Sequence, residues 1–294
     1  MRTALLTTIA MLAFATNSIL ARHALSDDAI DPLAFTGIRL VSGAAVLALI
    51  VFIRARAETR PMGALKGSWS GAAALLLYAV AFSVAYVMIG AGPGALILFA
   101  SVQISMIAWA IVKGDRPAFL EWTGMGIAII ALAYLVSPGL TAPPLAGALL
   151  MAVAGASWGA YSLIGRGSHS PLADTAGNFI RCVPIGIAAI LAGVAYSRPT
   201  TEGLAYALAS GAIASGLGYI IWYGVLPHLT RTTAAVVQLT VPAIAALGGV
   251  VFIGEPLTVR LLVAMAGIIG GVTITLLATD HRRRRRAGQM GVTG

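Results

Sequence analysis

About ten runs of some twenty apolar residues, separated by short polar or Pro/Gly breaks, constrain this chain more than any other feature. They span approximately 3–21, 33–53, 68–90, 93–112, 118–136, 145–164, 175–195, 203–224, 231–253 and 258–278. A bilayer core of about 30 Å needs around 20 residues of α-helix to cross it. Composition agrees: 59% of the 294 residues are hydrophobic and 10% charged, where a soluble domain carries roughly 25% charge. The expected fold is an all-α integral membrane protein with ten transmembrane helices. The first run follows Arg2 and resembles a signal peptide, but it is long for one and has a counterpart at 145–164, so it is read as a helix. Cys182 is the single cysteine, which rules out an intramolecular disulfide.

The net charge of +9 suggests nucleic acid until the positions are read. Numbering the connections so that the N-terminus, the even-numbered helix ends and the C-terminus share a side puts fourteen basic residues there, among them Arg54, Arg56, Lys66 and the run Arg282 to Arg286. The other side has three: Arg22, Arg198 and Arg260. Such a bias sets both termini in the cytoplasm. No nucleic-acid partner is implied. The arginine run is an orientation signal that can also hold anionic lipid headgroups.

The two halves resemble each other. Ser18-Ile19-Leu20-Ala21-Arg22 aligns with Ser162-Leu163-Ile164-Gly165-Arg166. Pro32-Leu33-Ala34 with Arg39 aligns with Pro171-Leu172-Ala173 with Arg181, and Gly114-Asp115-Arg116-Pro117 with Gly254-Glu255-Pro256. The expected organisation is a first five-helix repeat at 1–140, a second at 141–280 and a basic cytoplasmic tail at 281–294. Five helices per repeat force the second copy to run the opposite way, and inverted repeats are the usual architecture of alternating-access carriers.

The stretch Thr233-Ala234-Ala235, Pro242, Gly254-Glu255-Pro256-Leu257 and Gly267 with Gly270-Gly271 resembles the second half of EamA-type members of the drug/metabolite transporter superfamily. Phe14, Asn17-Ser18, Pro32 and Arg39 match the amino-terminal pattern, and the likeness covers about residues 3 to 278. Within that family the chain is most similar to YddG-type exporters of aromatic and other amino acids. The resemblance implies ten helices in inverted halves, a bacterial inner-membrane location and export of metabolites. Asp115-Arg116 stands where the family favours Gly-Glu, an acidic position read as structural in either half.

Tyr78, Phe82 and Tyr86 recur at i, i+4 and i+8 on one face of the third helix. Hydroxyl-bearing aromatics at depth need a partner or a wet cavity, although such a stripe can equally be helix packing. Trp69, Trp109, Trp122 and Trp222 fall near cytoplasmic helix ends, where interfacial belts explain them. Trp158, beside Ser157 and near Tyr161, is deeper and is read as a cavity residue, with Phe99 and Gln103 at similar depth. Polar groups inside lipid face a cavity or another helix, which brings in Asn17 and Gln238. The candidate substrate-binding set is therefore Asn17, Tyr78, Phe82, Phe99, Gln103, Trp158, Tyr161 and Gln238.

Arg39 and Arg181 are the charges well inside helices, each read as one or two turns from the extracellular boundary. A guanidinium there can hold a substrate carboxylate, but the preferred reading is a snorkelling or carbonyl-bonded arginine. No Asp or Glu falls near a helix centre, which argues against a midplane proton relay and against transport of divalent metals. No histidine pattern has metal-ligand spacing, so neither cofactor nor metal is expected and the chain is not read as an enzyme. The pairs Gly155/Gly159 and Gly267/Gly271 allow close helix approach, read as internal packing in a monomer or homodimer. Pro242 marks a kink in the ninth helix. The expected function is alternating-access export of neutral amino acids or similar metabolites, facilitative or by exchange. Carriage of drug-like or other solutes is the alternative, and a lipid-acting enzyme ranks behind both.

Overall fold

A computed structural model describes residues 2–57, 66–114, 116–139, 141–165, 168–229 and 231–290, without the side chains of 223, 227, 231–233, 235 and 283–290. Asp115 and the side chains of Thr233, Ala235 and 283–286 thus lie outside the described residues. Among the described residues, ten helices are long and apolar enough to cross a membrane: α1 (Arg2–Ser26), α2 (Pro32–Arg56), α3 (Trp69–Met88), α4 (Ala91–Val112), α5 (Phe119–Val136), α6 (Leu145–Ile164), α7 (Pro171–Tyr196), α8 (Thr201–Trp222), α9 (Val236–Ile253) and α10 (Val259–Arg282). No strand occurs among the described residues.

Local chemistry sets several helix starts. Pro32 and Pro171 open α2 and α7, where a missing N–H costs nothing. The hydroxyls of Ser68 and Thr200 accept from Gly71 N and Gly203 N at 3.0 Å each, capping α3 and α8. Several helices extend beyond the apolar runs, since polar residues such as His23 and Ser26 continue α1 past the expected limit of 21.

Two helices depart from regular geometry. Residues Ala209–Leu217 of α8 are wound as a π-helix. The ninth apolar run, expected as one kinked helix over 231–253, is divided at Leu239 into Arg231–Gln238 and Thr240–Gly248. Pro242 has no N–H for the carbonyl of Gln238, four residues back, so the break falls just ahead of the proline.

Packing is pairwise. α2 lies along α7, α5 along α10, α6 against α3 and α4, and α1 against α8 and α9. Small residues permit this: Ala10, Ala15, Ala21 and Ala24 of α1 are fully buried. Both glycine pairs pack inside the chain, Gly155 and Gly159 onto α4, Gly267 and Gly271 onto α5. The α5–α10 crossing is close enough to exclude a side chain. A Cβ on Gly271 would stand 2.5 Å from Gly124 O and 2.7 Å from Ala128 N, both backbone atoms that cannot yield. Gly271→Val is therefore expected to lower the yield of monodisperse, detergent-extracted protein several-fold, while valine at Gly270, which faces open space, leaves it near wild type. Large apolar side chains such as Phe119, Ile130, Val251 and Phe252 cover the exterior. So wide an apolar surface requires lipid, and the chain is a multi-pass membrane protein.

Candidate functional site

Two adjoining cavities occupy the middle of the bundle. The larger, of about 780 Å³, extends from Pro117, Ser168, Leu229 and Asp280 at one end of the helices to Gln103 and Trp158 at mid-depth. That end carries the α4–α5, α6–α7 and α8–α9 connections. A smaller chamber of about 30 Å³ lies beyond, walled by Asn17, Tyr78, Phe82, Phe99 and Ser215. Phe14, Trp158, Tyr219 and Gln238 line both and form the partition between them.

Trp158 is the centre of that partition. Its ring stacks on Tyr219 (centroids 5.4 Å apart, 16° between planes) and on Tyr161 (5.3 Å, 28°), and meets Tyr78 at 5.0 Å. Phe14 closes the group against Tyr219 and Trp222 at 5.8 and 6.0 Å. Rings in such contact hold one another in place and offer flat apolar faces to a solute. Gln238, at the α9 break, adds an amide that makes no hydrogen bond with the described residues.

The polar groups around the partition divide into committed and free. Tyr161 donates to Thr175 Oγ1 at 3.3 Å and accepts from Asn178 Nδ2 at 3.4 Å. Asn178 Oδ1 accepts from Ser68 N at 2.8 Å, so that residue joins α7 to the start of α3. Asn17 Oδ1 accepts from Ser210 Oγ at 2.7 Å, which ties α1 to α8 and leaves the amide nitrogen beside the chamber. Arg39 lies behind the chamber wall. It is 2% exposed, donates from Nη2 to Tyr78 Oη at 3.0 Å and from Nε to Ser215 Oγ at 3.3 Å, and sits 4.7 Å from the Phe82 ring centroid.

The far end of the pathway is shut. Arg22 Nε donates to Glu255 Oε1 at 3.0 Å, and its Nη1 donates to the carbonyl of Tyr86 at 2.9 Å. The other Glu255 oxygen accepts from Ala91 N at 2.8 Å, so one carboxylate fastens α1 and the start of α4 to the α9–α10 turn. Thr200 N donates to Ala29 O at 2.8 Å and joins the α7–α8 and α1–α2 turns. At the open end the ties run along the flanks. Arg282 pairs with Glu121 at 2.7 Å, and Asp174 accepts from Gly67 N at 2.9 Å.

The eight residues singled out in the sequence all line these cavities. Asn17, Tyr78, Phe82 and Phe99 face the small chamber, Gln103 and Tyr161 the large one, and Trp158 and Gln238 both. Other readings need correction. Trp222 is not interfacial: it is buried beside the large cavity, because α8 turns Ser215, Tyr219 and Trp222 inward together. Their spacing of four and three residues is a helical-face signal like that of α3. Arg39 neither snorkels nor bonds carbonyls, since its partners are side chains of α3 and α8. Arg181 does bond carbonyls, those of Lys66 at 2.6 Å and Gly177 at 2.9 Å. Lys66 precedes α3, so Arg181 lies at the end opposite the α1–α2 turn, and the two arginines do not share a boundary. Arg282, read as part of a lipid-facing run, turns in to Glu121.

The model of the EamA-like transporter family matches residues 1–137 and 145–277. An uncharacterized protein of Pseudomonas aeruginosa, PA1977, is 49% identical over 98% of both chains. The threonine/homoserine exporter RhtA of Escherichia coli K12 is 32% identical over 58% of this chain and 59% of its own. The uncharacterized transporter YwfM of Bacillus subtilis is 27% identical over 91% of this chain and 92% of its own. A crystal structure covering 94% of this chain and 98% of its own superimposes with a TM-score of 0.65 at 19% identity, a likeness of fold alone.

Proposed function

Because the chain belongs to the EamA-like transporter family, we propose that it exports neutral amino acids, aromatic ones included, or similar small metabolites across the bacterial inner membrane by alternating access. The observation that carries this reading is the aromatic pathway itself, open at one end, closed by an ion pair and hydrogen-bonded turns at the other, and narrowed at Trp158. A relative whose name states threonine and homoserine export supports the substrate class. Flat aromatic faces with unpaired amides suit amphipathic, net-neutral solutes of the YddG type.

The inverted-repeat organisation, 1–140 against 141–280, is supported by the packing. Exchanging α1 with α6, α3 with α8 and α4 with α9 converts the contacts of α6 into those of α1, while α2–α7 and α5–α10 map onto themselves. With both termini cytoplasmic and the tail at 281–294 inside, the open cavity faces the cytoplasm, the loading side for an exporter. α9, broken at Leu239 beside the partition, is the proposed hinge. The described membrane interior contains no carboxylate at mid-depth, since Glu121 sits in the first turn of α5 and is paired with Arg282. That placement supports facilitated or exchange transport over a midplane proton relay.

Counterflow in liposomes tests the reading. Purified protein preloaded with unlabelled phenylalanine or threonine is expected to take up the labelled amino acid saturably, with or without a pH gradient. Flux that requires the gradient would remove the uncoupled mechanism, and absence of flux for every neutral amino acid would remove the substrate class.

A further inference from the structure

Arg39 is a permanently charged, buried group with no carboxylate paired to it among the described residues. A guanidinium only donates hydrogen bonds. Tyr78 Oη and Ser215 Oγ, at 3.0 and 3.3 Å, must therefore both act as acceptors towards it. Each hydroxyl keeps one proton of its own, and neither finds an acceptor among the described residues. Both side chains wall the small chamber, so that is the space into which those protons can be donated. Arg39 Nη1 is also buried without a partner, which leaves the positive charge under-compensated. Among the described residues, no acidic one lines the chamber. Two preset donors backed by an unneutralised cation form a local field that favours an anion and disfavours a cation.

We propose that the small chamber is the carboxylate subsite of the pathway, with Tyr78 and Ser215 donating to the anionic group of the solute and Arg39 acting as their positioning residue. The inference rests on the carrier reading and names the chemical handle that the carrier selects. One guanidinium matches a single negative charge, so a monocarboxylate fits better than a phosphate ester carrying two. A zwitterionic amino acid seated this way directs its ammonium back towards the aromatic partition of Phe14, Trp158 and Tyr219, away from Arg39. Phe82, stacked over the guanidinium on the chamber side, keeps water from dispersing the charge.

The test is direct binding to purified full-length protein, followed by tryptophan fluorescence, with matched pairs: L-phenylalanine against L-phenylalaninamide, and L-threonine against L-threoninamide. Each acid is expected to bind at least tenfold more tightly than its amide. In Arg39→Gln that preference falls below twofold because acid binding weakens while amide binding holds or tightens as the repelling charge is removed, a split that simple loss of packing does not produce. Tyr78→Phe and Ser215→Ala, which keep the guanidinium but remove one donor each, are expected to lose part of the preference, and they carry the test if Arg39→Gln does not fold. Amides binding as well as acids in the wild type, a preference that survives in Arg39→Gln or in both hydroxyl variants, or no binding of either acid would each overturn the proposal. Acid-selective binding without amino-acid flux in counterflow would instead remove the exporter reading and leave the subsite standing.

Discussion

Trp158→Ala is expected to reduce amino-acid flux by at least about thirtyfold while the protein remains inserted and folded. The indole contacts Tyr78, Tyr161 and Tyr219, and its removal deletes three ring contacts of the partition at once. A solute stacked against the indole gains about 0.5–1.5 kcal/mol beyond area burial, and the apolar area it covers adds to that. Loss of about 2 kcal/mol of solute binding corresponds to roughly thirtyfold in affinity. The void left merges the two cavities, so the solute also loses the surface that defines its pose. Trp158→Phe keeps a flat ring and should recover much of the flux. Initial rates of counterflow, normalised to protein recovered in sealed vesicles, measure the effect. Wild-type rates for the alanine variant would remove Trp158 from the pathway.

Glu255→Ala is expected to shift the molecule towards a state open at the other end. The Glu255 carboxylate holds Arg22 on one oxygen and the amide of Ala91 on the other, with its side chain 15% exposed. Breaking a buried pair costs about 3–5 kcal/mol, and partial exposure here reduces that to about 2 kcal/mol. An equilibrium between end-states then moves by roughly thirtyfold. A cysteine placed at Ser18, buried in the wild type against the small chamber, reports it. An impermeant thiol reagent added from the closed side should label Ser18→Cys at least tenfold faster in the Glu255→Ala background. Native Cys182 is buried and stays silent. Equal labelling in the two backgrounds would show that the ion pair braces the turns without setting which end opens.

The helix count was legible because lipid imposes a single length scale on every crossing segment. Residues lining the cavities were legible where depth and chemistry agreed, as for Trp158, Tyr78 and Gln238. Depth without facing was not enough elsewhere. Trp222 stands near a helix end in the sequence, where interfacial tryptophans belong, and only the packing of α8 against α1 and α7 reveals that it points inward. The surroundings of Arg39 were hidden for a similar reason, since Ser215 lies 176 residues away in the chain and no local pattern links the two. Pro242 announced a bend, but the position of the break follows from the carbonyl it deprives, that of Gln238, and so falls one turn earlier than the proline itself.

The small chamber has a consequence for the cell that has nothing to do with recognition. At about 30 Å³ it holds on the order of two water molecules. A file that short, ending against closed turns, is expected to pass neither protons nor small cations, which proton flux into sealed vesicles containing the empty protein would check. An idle copy therefore does not drain an energised membrane, and the route conducts only once a solute's own bulk has forced the aromatic wall apart. Leak-tightness is then the resting property of the empty protein, and a bacterium can keep many copies in place without loss of its ion gradients.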